Sequence, residues 1–344
     1  MKSDVKSDLP YDLVRTLLTV VDEGTFDAAA AALHVTPSAV SQRVKALEQR
    51  TGRVLLMRTK PVRATESGQV VVRFARRLAE LERDARTELG LTAGAGPARL
   101  PIAVNADSLA TWFLPALTRV PQDPPVCFEL HREDEAHTAT LLREGQVMAA
   151  VTSSAEVVAG CTAVPLGRVR YLPVASPGFT ARHLSGGPLE RRLPDAPVIL
   201  FDRRDEIQDR FVRSLGPGGA GGPGSSGESG SSGESGSSGG SGSSGESGSS
   251  GGSGAGPLRH YVPTSEGFCD AVAAGLGWGL LPESQAEPLL RSGALTELAA
   301  GRWVDVPLYW QQWKMDVPAL ALVAQTVAVA AAEALHPPGP PTAP

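Results

Sequence analysis

Residues 26–59 read FDAAAAALHVTPSAVSQRVKALEQRTGRVLLMRT, and this stretch decides how the chain begins. Its left end is a short helix made mostly of alanines, which let neighbouring helices approach closely, and Thr25 stands ready to cap it. His34 and Val35 form the turn. Thr36 followed by Pro37 is a helix start: a side chain that caps free N–H groups, then a proline whose missing N–H is no loss at the first helical position. In the next helix Val40, Val44 and Leu47 share one face at about 100° per residue, and that face must be buried. The opposite face carries Ser38, Gln42, Lys45 and Gln49, with Ser41 and Arg43 on its flanks.

That outward face consists of short hydrogen-bonding groups and cations. Ser and Gln read base edges in a major groove, while Lys, Arg and hydroxyls bond phosphates. Charge is placed to match. Between residues 36 and 65 seven cations (Arg43, Lys45, Arg50, Arg53, Arg58, Lys60, Arg63) face one acid, Glu48, whereas residues 1–35 hold three cations and six acids. Upstream, Leu9, Leu13, Val14, Leu17, Leu18 and Val21 recur at helical spacing and Gly24 closes that helix. Downstream, RVLLMRTKPVRATESG reads as a β-hairpin wing with Arg58, Lys60 and Arg63 near its tip. Residues 9–65 therefore read as an all-α winged helix-turn-helix for double-stranded promoter DNA, with Thr36, Ser38, Ser41, Gln42, Arg43, Lys45, Arg58 and Arg63 as its contact residues.

From Thr65 a long helix is expected over residues 66–90. Val71, Phe74, Leu78, Leu81 and Ala85 alternate three- and four-residue spacing, a coiled-coil seam. A seamed helix leaving a DNA-binding head reads as a dimerisation helix, since two heads address two half-sites.

The whole chain has 344 residues, 42% of them apolar and 20% charged, with a net charge of −5. That balance suits two or more globular domains, and any nucleic-acid surface must be a local patch. Cys127, Cys161 and Cys269 lie far apart without a CxxC pair, which opposes a zinc ribbon or disulfide framework and fits a reducing, cytoplasmic setting. The polar start MKSDVKSDLP lacks the apolar core of a secretory signal, and the most apolar stretch, residues 319–335, contains Gln325, Thr326 and Glu333. A core helix is expected there, not a membrane span.

Beyond residue 97 short apolar runs (LPIAVN, VCFELH, VMAAVT, TAVPL, VRYLPVAS, APVILFD) alternate with helical patterns, so an α/β architecture with a largely parallel sheet is expected. Residues 216–256 contain only Gly, Ser, Glu, Ala and Pro, with five GSSGES or GSSGGS hexads from 224 to 253, and read as a disordered loop. The tail, residues 336–344, is read the same way.

SAVSQRVKALE and the GxxLLxRT start of the wing resemble the LysR-type transcriptional regulators. AVNADSLATWFLPAL at residues 103–117, EDE at 133–135, the TSEGF run at 264–268 and LYWQQW at 308–313 resemble the ArgP/LysG branch within them. The hexad loop is not part of the family pattern; loop closure costs grow slowly with length, so the insertion is tolerable. The resemblance implies a two-lobed, periplasmic-binding-protein-like effector domain over 97–335. Lobe one would hold 97–166 and 283–335, and lobe two 167–282. It also implies a basic amino acid effector, L-lysine or L-arginine, control of genes for amino acid export or metabolism, a homodimer or dimer of dimers, and RNA polymerase as a partner.

Ligands of open α/β sheets bind beyond the carboxyl ends of strands, where helix N-termini offer free N–H groups. Four such turns are visible, and they supply the candidate effector residues: Asp107 and Ser108; Glu133, Asp134 and Glu135; Asp202; and Thr264, Ser265 and Glu266. A free amino acid carries a carboxylate for N–H groups and hydroxyls, and an ammonium that wants an acid. His34, His131 and His137 lack metal-ligand spacing, and no cofactor or metal is expected. No GxSxG elbow, Walker loop, HExxH or strand-to-helix GxGxxG supports an enzyme. A transport-type binding protein is opposed by the DNA-binding head, and an architectural protein without effector by the two-lobed half.

Overall fold

The structure, a computed structural model, describes residues 9–88, 98–123, 125–132, 135–216, 258–315 and 317–338. Glu133, Asp134 and nearly all of the Gly/Ser-rich loop lie outside the described residues.

The head is three helices and a hairpin. α1 (Tyr11–Glu23) ends at Gly24, α2 (Phe26–Ala32) is capped by Thr25, and α3 (Pro37–Thr51) is capped by Thr36. Val40, Val44 and Leu47 are buried against Leu13, Val14, Leu17 and Val20 of α1. The wing pairs β1 (Leu56–Met57) with β2 (Arg63–Ala64). Glu48, the one acid of the basic segment, accepts the Leu55 N–H at 2.8 Å and so anchors the wing to α3. α4 (Glu66–Glu88) starts under a Thr65 cap and crosses the wing at Gly68, where a Cβ would stand 1.9 Å from the Leu55 carbonyl oxygen.

The expected seam of α4 is out by one position at its start. Val71 and Ala75 belong to the head core, whereas Val70, Phe74 and Leu81 are the large apolar side chains left exposed. The α1 contact takes the Val71 face, so the outward stripe runs one residue earlier. Arg76 of α4 pairs with Asp22 of α1 at 2.6 Å, and Arg73 and Arg77 donate to the Arg143 and Gly160 carbonyls of the second half.

That half begins with β3 (Ala98–Val104), then α5 (Ala106–Ser108), a π-helical turn (Leu109–Phe113) and α6 (Leu114–Leu117) as one continuous rod. β4 (Val126–Arg132), α7 (Glu135–Arg143), β5 (Ala149–Thr152) and the long β6 (Cys161–Ala175) follow. Next come α8 (Pro177–Phe179), α9 (Leu189–Arg192), β7 (Val198–Leu200), α10 (Ile207–Leu215), β8 (Arg259–Tyr261), α11 (Ser265–Ala273), β9 (Gly279–Pro282), α12 (Glu283–Arg291) and β10 (Thr296–Glu297). β11 (Val304–Trp313) and α13 (Pro318–Ala334) close the chain.

β3 pairs in parallel with β4 and β5, as expected, but the sheet as a whole is mixed, not largely parallel. Its longest ladder is antiparallel, β6 against β11, from Tyr171 opposite Val304 to Cys161 opposite Trp313. TAVPL and VRYLPVAS are thus one strand: Gly167, at φ +148, and a register shift opposite Leu308/Tyr309 bend it without breaking it. β6 and β11 are the two crossovers, carrying the chain between lobes in opposite directions.

The expected second lobe boundary at 282/283 moves accordingly. Ala286 of α12 and Leu295 pack with Leu172, Val174, Ile199 and Phe268, and β10 pairs with the far end of β6, so residues 283–303 join lobe two. The tail also starts later than expected. His336 forms a bridge to Arg168, its ring meets Glu283, and Pro337 accepts from the Arg168 guanidinium at 2.9 Å.

Asp305 on β11 sits at this crossing, 2% exposed, and accepts from Arg168 at 3.0 Å and Arg170 at 3.1 Å. Arg170 also stacks on Trp303, its guanidinium carbon 4.0 Å from the ring centre. An acid so buried is stabilising only while both cations stay paired to it. Asp305→Asn should therefore cost about 3 kcal/mol of stability, read as a lowered melting temperature with the mixed α/β circular dichroism spectrum retained; an unchanged melting temperature would refute this role.

Candidate DNA face and effector cleft

On α3, Ser38, Ser41, Gln42, Lys45 and Gln49 are all exposed on the side away from the core, so the sequence-predicted reading face exists as a surface. Two of the predicted contact residues are partly engaged elsewhere. The Thr36 hydroxyl accepts the Ala39 N–H at 3.2 Å as the cap, and Arg43 turns toward α1, where its guanidinium donates to Thr16 at 3.5 Å. In the wing Arg58, Lys60 and Arg63 are exposed, and Arg58 lies over the Phe26 ring at 5.8 Å. The face is thus a helix of hydrogen-bonding groups with the cation Lys45 among them, beside a wing of cations.

In the second half the β3–α5 turn and the start of α11 meet across the lobes. Asp107 on α5 accepts from the Tyr171 phenol of β6 at 2.6 Å through one carboxylate oxygen, and from the Ser265 hydroxyl of α11 at 2.6 Å through the other. Gln285 of α12 donates to Ser265 at 3.1 Å. Burial holds the Asp107 carboxyl above the usual carboxylate range; the hydrogen bonds from Ser265 and Tyr171 offset part of that rise, and the charge of Glu266 adds to it. Beside Asp107 the Asn105 side-chain amide oxygen and the Ser108 hydroxyl are buried without a partner among the described residues. Buried polar atoms left unpaired cost about 1–3 kcal/mol each, so two flanking a half-buried acid mark a place that receives polar groups.

The structure brings together Asp107 and Ser265 and leaves Glu266 exposed within electrostatic reach. Thr264 spends its hydroxyl on the cap of α11, accepting from Gly267 at 3.2 Å. Asp202 closes its own turn, accepting from the Arg204 and Asp205 N–H groups at 2.7 and 3.0 Å. Glu135 is the first residue of α7. Asn105, Tyr171 and Gln285 escaped the sequence reading: Asn105 stood inside a quoted motif beside a more obvious acid, Tyr171 lay within the apolar run VRYLPVAS, and Gln285 belonged to no motif. Among the described residues no group of three or more His, Cys, Asp or Glu has metal-site geometry, and no helix is long and apolar enough to cross a membrane. Burial pushes the Cys161 thiol up to about 11, which keeps it protonated at neutral pH.

Residues 11–69 match the family model of the bacterial regulatory helix-turn-helix protein, lysR family. The lysine export transcriptional regulatory protein LysG of Corynebacterium efficiens is 42% identical over 322 residues, 93% of this chain and 97% of that protein. The chain belongs to the LysR family. Among solved structures, ArgP from Mycobacterium tuberculosis superposes with a TM-score of 0.79 at 40% identity, covering 96% of this chain and all of that one. Full-length LysG from Corynebacterium glutamicum with bound effector arginine gives 0.72 at 38% identity, with 96% and 100% covered. This LysR-family chain is accordingly a DNA-binding transcriptional regulator with an α/β effector domain.

The DNA face makes a differential prediction. Gln42→Ala should lose about 1–3 kcal/mol on the preferred site and relax sequence preference. Arg63→Ala should weaken all sequences alike and flatten the salt slope by about one unit. Titrations on specific and random duplexes over a salt series decide it; matching behaviour of the two variants would remove α3 as the reader.

Proposed function

We propose that this regulator senses L-arginine or L-lysine in the cleft between its lobes and passes the result to promoter DNA. The observation that carries the proposal is the half-buried acid, Asp107, set between lobes beside the buried and unpaired Asn105 and Ser108 side chains. An amino acid's ammonium finds its counter-charge there, and its carboxylate meets the free N–H groups at the starts of α5 and α11, of which α11 is a full helix and the stronger partner. The LysG structure with bound effector arginine, from a relative covering the full length, supports the ligand class. The distal cation then falls to one of the candidate acids, of which Glu266, exposed at the start of α11 and within electrostatic reach of Asp107, is the best placed among the described residues.

DNA contact is assigned to Ser38, Ser41, Gln42 and Lys45 of α3 and to Arg58 and Arg63 of the wing, with Thr36 and Arg43 supporting the helix. The exposed Val70, Phe74 and Leu81 stripe of α4 supports a homodimer or dimer of dimers. Cytoplasmic action, RNA polymerase as partner, and amino acid export or metabolism genes as targets complete the reading. Linkage supplies the mechanism: a ligand that touches both lobes favours the closed arrangement by its differential affinity, and α4 carries the change to the heads.

Calorimetry with arginine, lysine and norleucine tests the ligand class. Norleucine lacks only the distal cation, so it should bind about tenfold or more weakly than lysine, because a desolvated acid is left unpaired. Asp107→Asn should lower affinity for both basic ligands by about tenfold or more. Equal binding of norleucine and lysine would overturn the proposal.

A further inference from the structure

Donor and acceptor bookkeeping around Asp107 leads past the ligand itself. A serine hydroxyl has one proton. Ser265 gives that proton to Asp107 at 2.6 Å, so its contact with Gln285 must run the other way, from the Gln285 amide to the Ser265 oxygen at 3.1 Å. The result is a directed chain, Gln285 to Ser265 to Asp107, with the Tyr171 phenol entering Asp107 from the other side. Its members sit on α12, α11, α5 and β6: two in lobe two, one in lobe one, and one on a crossover strand. Tyr171 is 5% and Ser265 3% exposed, while Asp107 and Gln285 are half-buried, so water competes for these bonds from one side only.

We infer that Asp107 and Ser265 form a latch that holds the lobes together before any effector arrives, with Tyr171 and Gln285 as the positioning residues that orient it. This rests on the cleft reading above and adds its regulation. The hydroxyl of Ser265 is spent on the latch, so the effector's carboxylate is left to backbone N–H groups of α11. Each Asp107 oxygen keeps lone-pair capacity after one hydroxyl bond, so an ammonium joins the latch as a further donor without breaking it. The latch thus pre-organises the closed state that the ligand favours, and its strength sets how much of the ligand's binding energy is left to shift the lobes.

Tyr171 has a second effect with a distinct signature. Its hydrogen bond favours the ionised form of Asp107 against burial and against the nearby charge of Glu266 on α11. Of the other charged groups nearby, Arg168 and Arg170 on β6 are held by Asp305, and Glu283 on α12 by His336. Removing the phenol therefore raises the Asp107 carboxyl further. As pH falls, the variant's Asp107 protonates before the wild type's and loses its attraction for an ammonium sooner.

The test has two arms, both on the full chain. Without ligand, amide exchange at residues 106–109 and 265–268 should be faster by about fivefold or more in Tyr171→Phe and in Gln285→Met than in wild type, reporting easier lobe opening. Unchanged exchange in both variants overturns the latch, whatever the ligand proves to be. With arginine, Tyr171→Phe should lose about fivefold or more in affinity at pH 6 and less at pH 8. The same loss at both pH values would make Tyr171 mere packing and overturn its positioning role. If Tyr171→Phe does not fold, Gln285→Met carries the exchange arm alone. Failure of wild type to bind arginine or lysine strikes the ligand class and leaves the exchange arm to judge the latch.

Discussion

The effector half depends on one constraint: its two lobes are joined by a single pair of antiparallel strands, β6 and β11, paired from Cys161 to Tyr171 with one register shift at Leu308/Tyr309. Strands linked by a continuous ladder twist together but do not slide, because slipping one residue would move every side chain to the other face. The buried Asp305 fixes the crossing by holding Arg168 and Arg170, two residues apart and so on the same side of β6. Whatever the lobes do relative to each other, they do about this point.

That constraint places the site. Tyr171 lies on the crossover strand next to Arg170 and therefore faces the opposite side of β6 from the Asp305 pair, toward α5. The β3–α5 turn, at the carboxyl end of a parallel strand, and the start of α11, capped by Thr264, close in on it from the two lobes. Helix starts, a half-buried acid and a hinge strand meeting at one point give the cleft its chemistry and its leverage at once. The C-terminal segment backs the same hinge: Gly167 admits it because a Cβ there would stand 2.7 Å from the His336 carbonyl oxygen. On the other side, Arg73 and Arg77 of α4 grip carbonyls at the end of α7 and just before β6, so the long helix that carries the head is seated on lobe one.

What was legible in the sequence follows from range. Caps and periodicity act within a turn or two of helix, so Thr25, Thr36, Gly24 and the Val40, Val44 and Leu47 face were all readable, as was Asp107 at a helix entry. The seam of α4 slipped by one position because α1, far away in sequence, claims Val71 and Ala75. β6 read as two strands because Gly167 looks like a stop, and only pairing with β11 shows that the strand runs on. The lobe boundary went astray for the same reason: a helix after a strand does not reveal which core it packs against. Tyr171 and Gln285 carry no local signal, since their roles exist only once β6, α11 and α12 come together. The Asp202 acid illustrates the converse, a plausible ligand residue whose short side chain serves its own turn.

The central claim is that a basic amino acid is held between the lobes by Asp107 and by the helix starts of α5 and α11. A crystal structure of this chain grown with L-arginine tests it most directly. The account predicts arginine density between the two lobes, its α-ammonium within hydrogen-bonding distance of Asp107, its carboxylate on the N–H groups that open α11, and the Ser265 to Asp107 bond still in place. Arginine bound outside the cleft, or in it with its ammonium turned away from Asp107, would contradict the account.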